Sequence, residues 1–472
     1  MSKITVKERL KINRQTMPEQ LATIRNANFA EVNLGLPEQV AIMEAQRCLQ
    51  CKEPKCMSGC PVNVNISQFI DFVAQGNMPA AALSLLGDNA LPAVTGRVCP
   101  QETQCECECV RGFKGLPVAI GYLERYVADW AREHEDQLST SVASPTGKKI
   151  AVIGSGPAGL TAAGELAKLG HAVTVYEALH QPGGVLVYGI PEFRLPKAIV
   201  AQEIERLERL GVKIECNIIV GRTYTLPELK ERFDAIFIAN GAGLPTFMNI
   251  PGENLKGVYS ANEYLTRVNL MAAYDPDAQT PVLRPARAAV VGGGNVAMDA
   301  ARTAKRMGAQ RVAIVYRRGK AEMPARAEEV HHAEQEGIEF ELLSLPIEIL
   351  GSENRWVTGL KCLRMQLGEP DASGRCKPEP IPGSEFVVEC DMVISALGSR
   401  ANPLLTQTCP DLKLDKRGNI MVDDKGMTSI PGVFAGGDIV RGAATVILAM
   451  GDGKNTAKAI NDYLRIVQVS RI

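Results

Sequence analysis

The 472-residue sequence is poor in aromatics, at 5% with two tryptophans, and carries almost no net charge, with 52 Lys and Arg against 53 Asp and Glu. The first scarcity argues against a base-stacking platform. The second, with no basic block, leaves no electrostatic footprint for nucleic acid or for an anionic membrane surface. No apolar run reaches 18 residues, and the N-terminal MSKITVKERLKINRQTMPEQ has no apolar h-region, so a cytoplasmic protein that spans no membrane is expected. Histidines number five, and nothing resembles a Ser/His/Asp hydrolase elbow or a paired-carboxylate site. His331 and His332 fall in the charged helical pattern EEVHHAEQEG, which reads as a solvated face. What remains is an ordinary globular composition, 46% hydrophobic and 22% charged. At roughly 150 residues per domain the length suits about three domains.

Cysteine is the residue whose placement is uneven. Cys48, Cys51, Cys56, Cys60, Cys99, Cys105, Cys107 and Cys109 precede residue 110, whereas Cys216, Cys362, Cys376, Cys390 and Cys409 are scattered with no C-x-x-C spacing. A disulfide framework is not expected in a long intracellular chain, and the missing dithiol spacing argues against thioredoxin-reductase-like chemistry. Cys48-x2-Cys51-x4-Cys56-x3-Cys60-Pro61 is like the bacterial ferredoxin run, with a middle gap of four in place of two, and Cys99, Cys105, Cys107 and Cys109 add a second group. In such runs the Cys before Pro ligates the other cluster, which pairs Cys60 with the second group. By count, eight thiolates suit two [4Fe–4S] clusters, with structural zinc and unligated thiols as the alternatives.

Three glycine signatures divide the rest. The fold class they indicate is α/β: an N-terminal α-helical iron–sulfur domain at 1–140, then two Rossmann-like dinucleotide-binding domains. The segment 135–149 reads as a linker, and the second nucleotide unit, 285–395, is expected as an insertion into a flavin domain formed by 145–284 and 396–472.

Gly154, Gly156, Pro157, Ala158 and Gly159 follow the apolar strand KIAVI and open a helix, a pattern that cradles a pyrophosphate at the helix N-terminus. Glu177 ends the next strand, where a carboxylate can accept from a ribose diol, and Gly183 and Gly184 offer a further backbone approach. The second fingerprint comprises Gly292, Gly294, Asn295, Val296 and Ala297. Its next strand ends in Arg317 and Arg318 at the place of Glu177, so guanidiniums stand where a 2′-phosphate would lie and NADPH is expected over NADH. Gly437 and Asp438 form a Gly turn placed to meet the ribitol of a flavin, with Thr445 at the start of the following helix. FAD in the first site and NADPH in the second then need mainly orientation and exclusion of water, with no catalytic acid or base.

Taken together, CLQC through CP, GRVCPQETQCECEC, VAIGYLERY, GSGPAGL, YGIPEFRLPK, GGGNVAMD with YRR and MPARAEE, and VFAGGDIVRG resemble the small (beta) subunit of NADPH-dependent glutamate synthase over the whole chain. The large subunit of bifurcating ferredoxin:NADP oxidoreductase and the electron-input region of dihydropyrimidine dehydrogenase look similar, and the C-terminal VILAMGDGKNTAKAI is closer to the bifurcating-enzyme and archaeal-type relatives than to the proteobacterial glutamate synthase form. The resemblance implies electrons passing from NADPH through FAD and two [4Fe–4S] clusters to a large chain that bears FMN and a glutaminase and makes glutamate, or to another redox partner. It further implies one cluster on Cys48, Cys51, Cys56 and Cys109, and a second on Cys60, Cys99, Cys105 and Glu124. This differs from the thiolate count, which makes Cys107 the eighth ligand.

Overall fold

The computed structural model describes residues 4–138, 142–370, 374 and 376–469, so residues 139–141 of the expected linker lie outside the described residues. The N-terminal region is helical. Its main helices are Glu38–Gln46, Ile66–Ala74, Met78–Asp88, Pro92–Val98 and Ile120–Glu133. Asn65 and Asn77 cap two of them, their side chains accepting from the backbone N–H of Gln68 and Ala80. The apolar faces of these helices do not close a core of their own. Phe69, Leu85 and Leu123 belong to one continuous core with Ile150, Leu166 and Phe434 of the neighbouring sheet domain. The helical region is therefore built onto that domain.

Two five-stranded parallel sheets follow, each with the same winding. In the first, Lys149–Ile153 lies at the centre between Ala235–Ile238 and Ala172–Tyr176, with Val433–Ala435 and Lys213–Glu215 at the edges. In the second, Arg287–Val291 takes the central place between Met392–Ser395 and Arg311–Tyr316, flanked by Val258–Ser260 and Glu339–Leu342. The strand order reverses at both central strands, and the crevice beyond their carboxyl ends is where such sheets bind ligands. Four of the five strands of the first sheet precede residue 240 and the fifth comes from the C-terminus, so the second sheet sits between them in sequence. Leu244–Pro245 and Ser399–Arg400 pair antiparallel where the chain leaves and re-enters.

The second sheet draws on more chain than the glycine motif implied. Val258–Ser260 and the helix Ala261–Val268 precede residue 285, because an edge strand without a fingerprint carries no sequence mark of the sheet it joins. An antiparallel sheet of Ser344–Gly351, Val357–Pro370 and Cys376–Glu389 also extends this region. No helix among the described residues is long and apolar enough to cross a membrane.

Where the helical region, the first sheet domain and the second meet, buried charges lie beside aromatic packing, with Arg302 and Arg306 over the Phe193 ring. Glu336 accepts from Arg25 Nε at 2.9 Å, Arg302 Nη2 at 2.8 Å and Arg306 Nη1 at 2.7 Å, and its side chain is fully buried. Arg194 pairs with Asp299 at 2.8 Å and Glu329 at 2.9 Å, and Arg302 also meets Glu329. His332, read from sequence as part of a solvated face, is instead 2% exposed, its Nε2 3.1 Å from Glu19 Oε2. His331 is exposed. The helix Ala327–Gln335 turns Glu329, His332 and Ala333 inward, a helical stripe whose partners come from distant chain.

Candidate functional site

A cleft of about 470 Å³ opens at the carboxyl end of the first central strand and reaches the second domain. Gly154, Gly156, Pro157 and Ala158 line it because the strand Lys149–Ile153 ends in a left-handed turn at Gly154, φ 101°, before the helix Pro157–Lys168. A Cβ on Gly154 would lie 2.5 Å from the carbonyl oxygen of Ala239, so the turn cannot take a side chain. Gly159 sits beneath the turn, where a Cβ would strike the carbonyl oxygen of Gly154. Glu177 also lines the cleft, its carboxylate held by Ser155 N at 3.0 Å and Leu179 N at 2.8 Å. Gly184 joins the lining, while Gly183 donates from its N–H to Ser155 Oγ at 2.8 Å and stays behind it.

Asp438 and Thr445 come to the same cleft from the C-terminal segment, with Tyr188 opposite. Burial pushes the Asp438 carboxyl up to about 6 and the Tyr188 phenol up to about 12. Gly437 donates its N–H to Asp452 at 2.9 Å and shapes the turn without lining the cleft. From the second domain, Asn295, Val296 and Asp299 line the far end, and burial raises the Asp299 carboxyl to about 6. Gly292 and Gly294 form the turn before the helix Asn295–Arg306, and Ala297 is buried under it. The two arginines differ. Arg317 is exposed, whereas Arg318 is buried and donates from Nε to Cys376 O at 3.0 Å.

The clustered cysteines fall into two neighbourhoods. Cys48 and Cys56 each sense the charge of Cys51 and Cys109. Cys99 and Cys105 both sense Glu124 and Cys60, while Cys107 is exposed. Burial pushes the Cys48 thiol up to about 11 and the Cys56 thiol up to about 12. Burial likewise raises the carboxyl of Glu124 to about 7, offset in part by Thr95 Oγ1 at 2.6 Å and Asn89 Nδ2 at 2.8 Å. Buried thiols that lie close enough to raise one another suit metal, which binds thiolates by displacing their protons.

Spacing separates the metal alternatives. Four thiolates on one zinc lie about 3.8 Å apart, since the Zn–S bond is about 2.3 Å and the geometry tetrahedral. Among the described residues no group of three or more cysteine sulfurs comes within 4.8 Å of one another, so the thiols are not gathered as tightly as one zinc would hold them. Glu19, Glu328 and His332 do come that close. Arg25 and Arg326 already hold the two carboxylates, at 3.2 and 2.7 Å, and that group reads as an ion-pair junction.

Known proteins join the same parts. Residues 25–136 match the family described as dihydropyrimidine dehydrogenase domain II, 4Fe-4S cluster, and residues 148–453 match pyridine nucleotide-disulphide oxidoreductase. The glutamate synthase [NADPH] small chain of Azospirillum brasilense is 38% identical, with 96% of this chain and 95% of that one covered. The NADP(+)-dependent formate dehydrogenase subunit beta of Moorella thermoacetica is 41% identical over 87% of this chain, which spans 60% of that relative's length. FprA of Mycobacterium tuberculosis in complex with NADPH shares the fold of the sheet domains, with a TM-score of 0.58 at 24% identity over 69% of this chain and 86% of that one. Relatives named as small chains and beta subunits work with a partner subunit, and this family carries FAD and 4Fe–4S clusters. The chain thus belongs to the glutamate synthase small-chain family, as a flavin and iron–sulfur oxidoreductase that uses a pyridine nucleotide.

Proposed function

We propose that this chain is the NADPH-oxidising electron-input subunit of a cytoplasmic glutamate synthase. The observation that carries the reading is that Val98 and Pro100, the neighbours of Cys99, line the same cleft as Gly154 and Asp438. The loop of Cys99 and the turn at Gly154 therefore border one cleft. Bound there, FAD would supply hydride chemistry with NADPH, and the two [4Fe–4S] clusters would supply one-electron transfer toward a partner.

The chain's own residues bind and orient. The N-terminus of the helix Pro157–Lys168, with Gly154, Gly156 and Gly159, takes the flavin pyrophosphate, Glu177 its ribose, Gly183 and Gly184 its flank, and Asp438 its ribitol. Thr445 stands at the start of the helix Val446–Val469, beside the ring end of the cleft. Gly292, Gly294, Asn295, Val296 and Ala297 take the NADPH pyrophosphate, and Arg317 and Arg318 its 2′-phosphate. Cys48, Cys51, Cys56 and Cys109 hold one cluster, the outer one. Cys60, Cys99, Cys105 and Glu124 hold the inner one.

Neutralising Arg317 and Arg318 together is expected to weaken NADPH binding roughly 10- to 100-fold, the range for losing hydrogen bonds to a charged group, and NADH binding by far less. Steady-state KM values for the two cofactors measure this, and equal weakening would make the pair structural. The exposed Arg317 should account for most of the effect.

Anaerobic co-purification decides the partner. A large chain with an FMN site and a glutaminase domain, followed by NADPH-driven glutamate formation, supports glutamate synthase. The similarity to a formate dehydrogenase beta subunit favours a second reading, in which the same electron-input module serves another redox partner. Recovery of a different flavoprotein or dehydrogenase subunit would establish that second reading and overturn the first.

A further inference from the structure

Arg326, with its neighbour Ala327, joins the second nucleotide domain to the loop that carries Cys99. The Arg326 backbone N–H donates to Asn295 Oδ1 at 2.9 Å, and Asn295 opens the helix behind Gly294. Its side chain crosses to the N-terminal region, where Nη1 donates to Arg97 O and Nη2 to Gln101 Oε1, both at 3.1 Å. These two contacts fall two residues to either side of Cys99, and Cys99 senses the guanidinium charge.

The surrounding charges are unequal in their access to water. Glu328 lies 2.7 Å from Arg326 Nη2 and Glu102 lies 3.6 Å from Nε, and their side chains are 18% and 34% exposed. The Arg326 side chain is 5% exposed. Glu329, buried like Arg326, also acts on the guanidinium, and at Cys99 the guanidinium opposes the acidic neighbours Glu124, Cys105 and Cys60 by favouring the charged form of the thiol. A one-electron reduction adds a negative charge to a cluster, and a fixed buried cation beside it stabilises the reduced form.

We propose that Arg326 is a positioning residue that raises the reduction potential of the inner cluster and ties its loop to the NADPH-binding turn. The proposal rests on the ligand sets given under Proposed function.

The test is an anaerobic redox titration of the intact holoprotein followed by electron paramagnetic resonance, with Arg326→Gln, Arg326→Lys and Glu102→Gln beside the wild type. Arg326→Gln is expected to disfavour reduction of the inner cluster at least tenfold, about 59 mV for a one-electron couple, with the outer cluster unmoved. Lysine should restore most of that shift. Glu102→Gln should move the inner potential upward, because it removes a compensating charge. An inner potential that changes less than twofold in Arg326→Gln, or two clusters that shift together, overturns the proposal. Should Arg326→Gln fail to retain iron, Glu102→Gln decides, and an unmoved inner potential there overturns it. A wild-type protein showing fewer than two cluster signals would instead refute the ligand sets.

Discussion

Glu336→Ala is expected to destabilise the protein by about 3–5 kcal/mol, the cost of removing one member of a buried ion network and leaving its partners unpaired. Arg25, Arg302 and Arg306 all donate to this one carboxylate, and the side chains of Glu336, Arg302 and Arg306 are fully buried. Chemical denaturation measures the loss, and a change below about 1 kcal/mol would place the stability of this junction elsewhere.

The same residue predicts acid behaviour. Burial would raise the Glu336 carboxyl, but the arginines more than reverse it and hold it down at about 2, below its ordinary 4.5. A group depressed in the folded state contributes stability that is complete above its unfolded value and is lost as pH falls toward its folded value. Stability should therefore decline from about pH 4.5 toward pH 2. Glu336→Gln, which cannot titrate, should flatten that decline while lowering stability at neutral pH less than alanine does. An unchanged acid profile in Glu336→Gln would assign the acid sensitivity to other carboxylates such as Glu329, which Arg194 and Arg302 also hold low against the opposing effect of burial.

Glu124→Ala is expected to remove one cluster, and with it about half of the iron, whereas Cys107→Ser should retain all of it. Glu124 is 9% exposed and held toward Cys60, Cys99 and Cys105, while Cys107 is exposed. Iron and acid-labile sulfide analysis, with flavin content as the internal reference, checks both. Loss of iron in Cys107→Ser with retention in Glu124→Ala would return the eighth position to the thiol count. Flavin should stay bound in both variants, since neither residue lines the cleft.

Of the residues that line the cleft, those on the first fingerprint were legible because each is placed by geometry within a few positions of chain. A strand, a left-handed glycine and a helix N-terminus are local geometry, and Gly154, Gly156 and Glu177 come together wherever that sequence folds as strand, turn and strand. The second fingerprint was legible for the same reason. Its neighbouring strand Val258–Ser260 was not, because edge strands carry apolar alternation but no address. The charged helix at 327–335 misled for a related reason: Glu329 and His332 look solvated until Arg194, Arg302 and Glu19 are folded against them.

Sequence alone thus determined that this chain has two dinucleotide turns and a cysteine set with cluster spacing, since both depend on residue type and near-neighbour spacing. Tertiary structure decided which cysteines share a neighbourhood, that Glu124 and not Cys107 faces the buried thiols, that Arg317 and Arg318 differ in exposure, and that Arg25 meets Glu336 across 311 positions of chain. Burial and pairing of charge are properties of what the whole chain brings to one place. A residue's own sequence neighbours cannot state how much water it keeps or which opposite charge it finds.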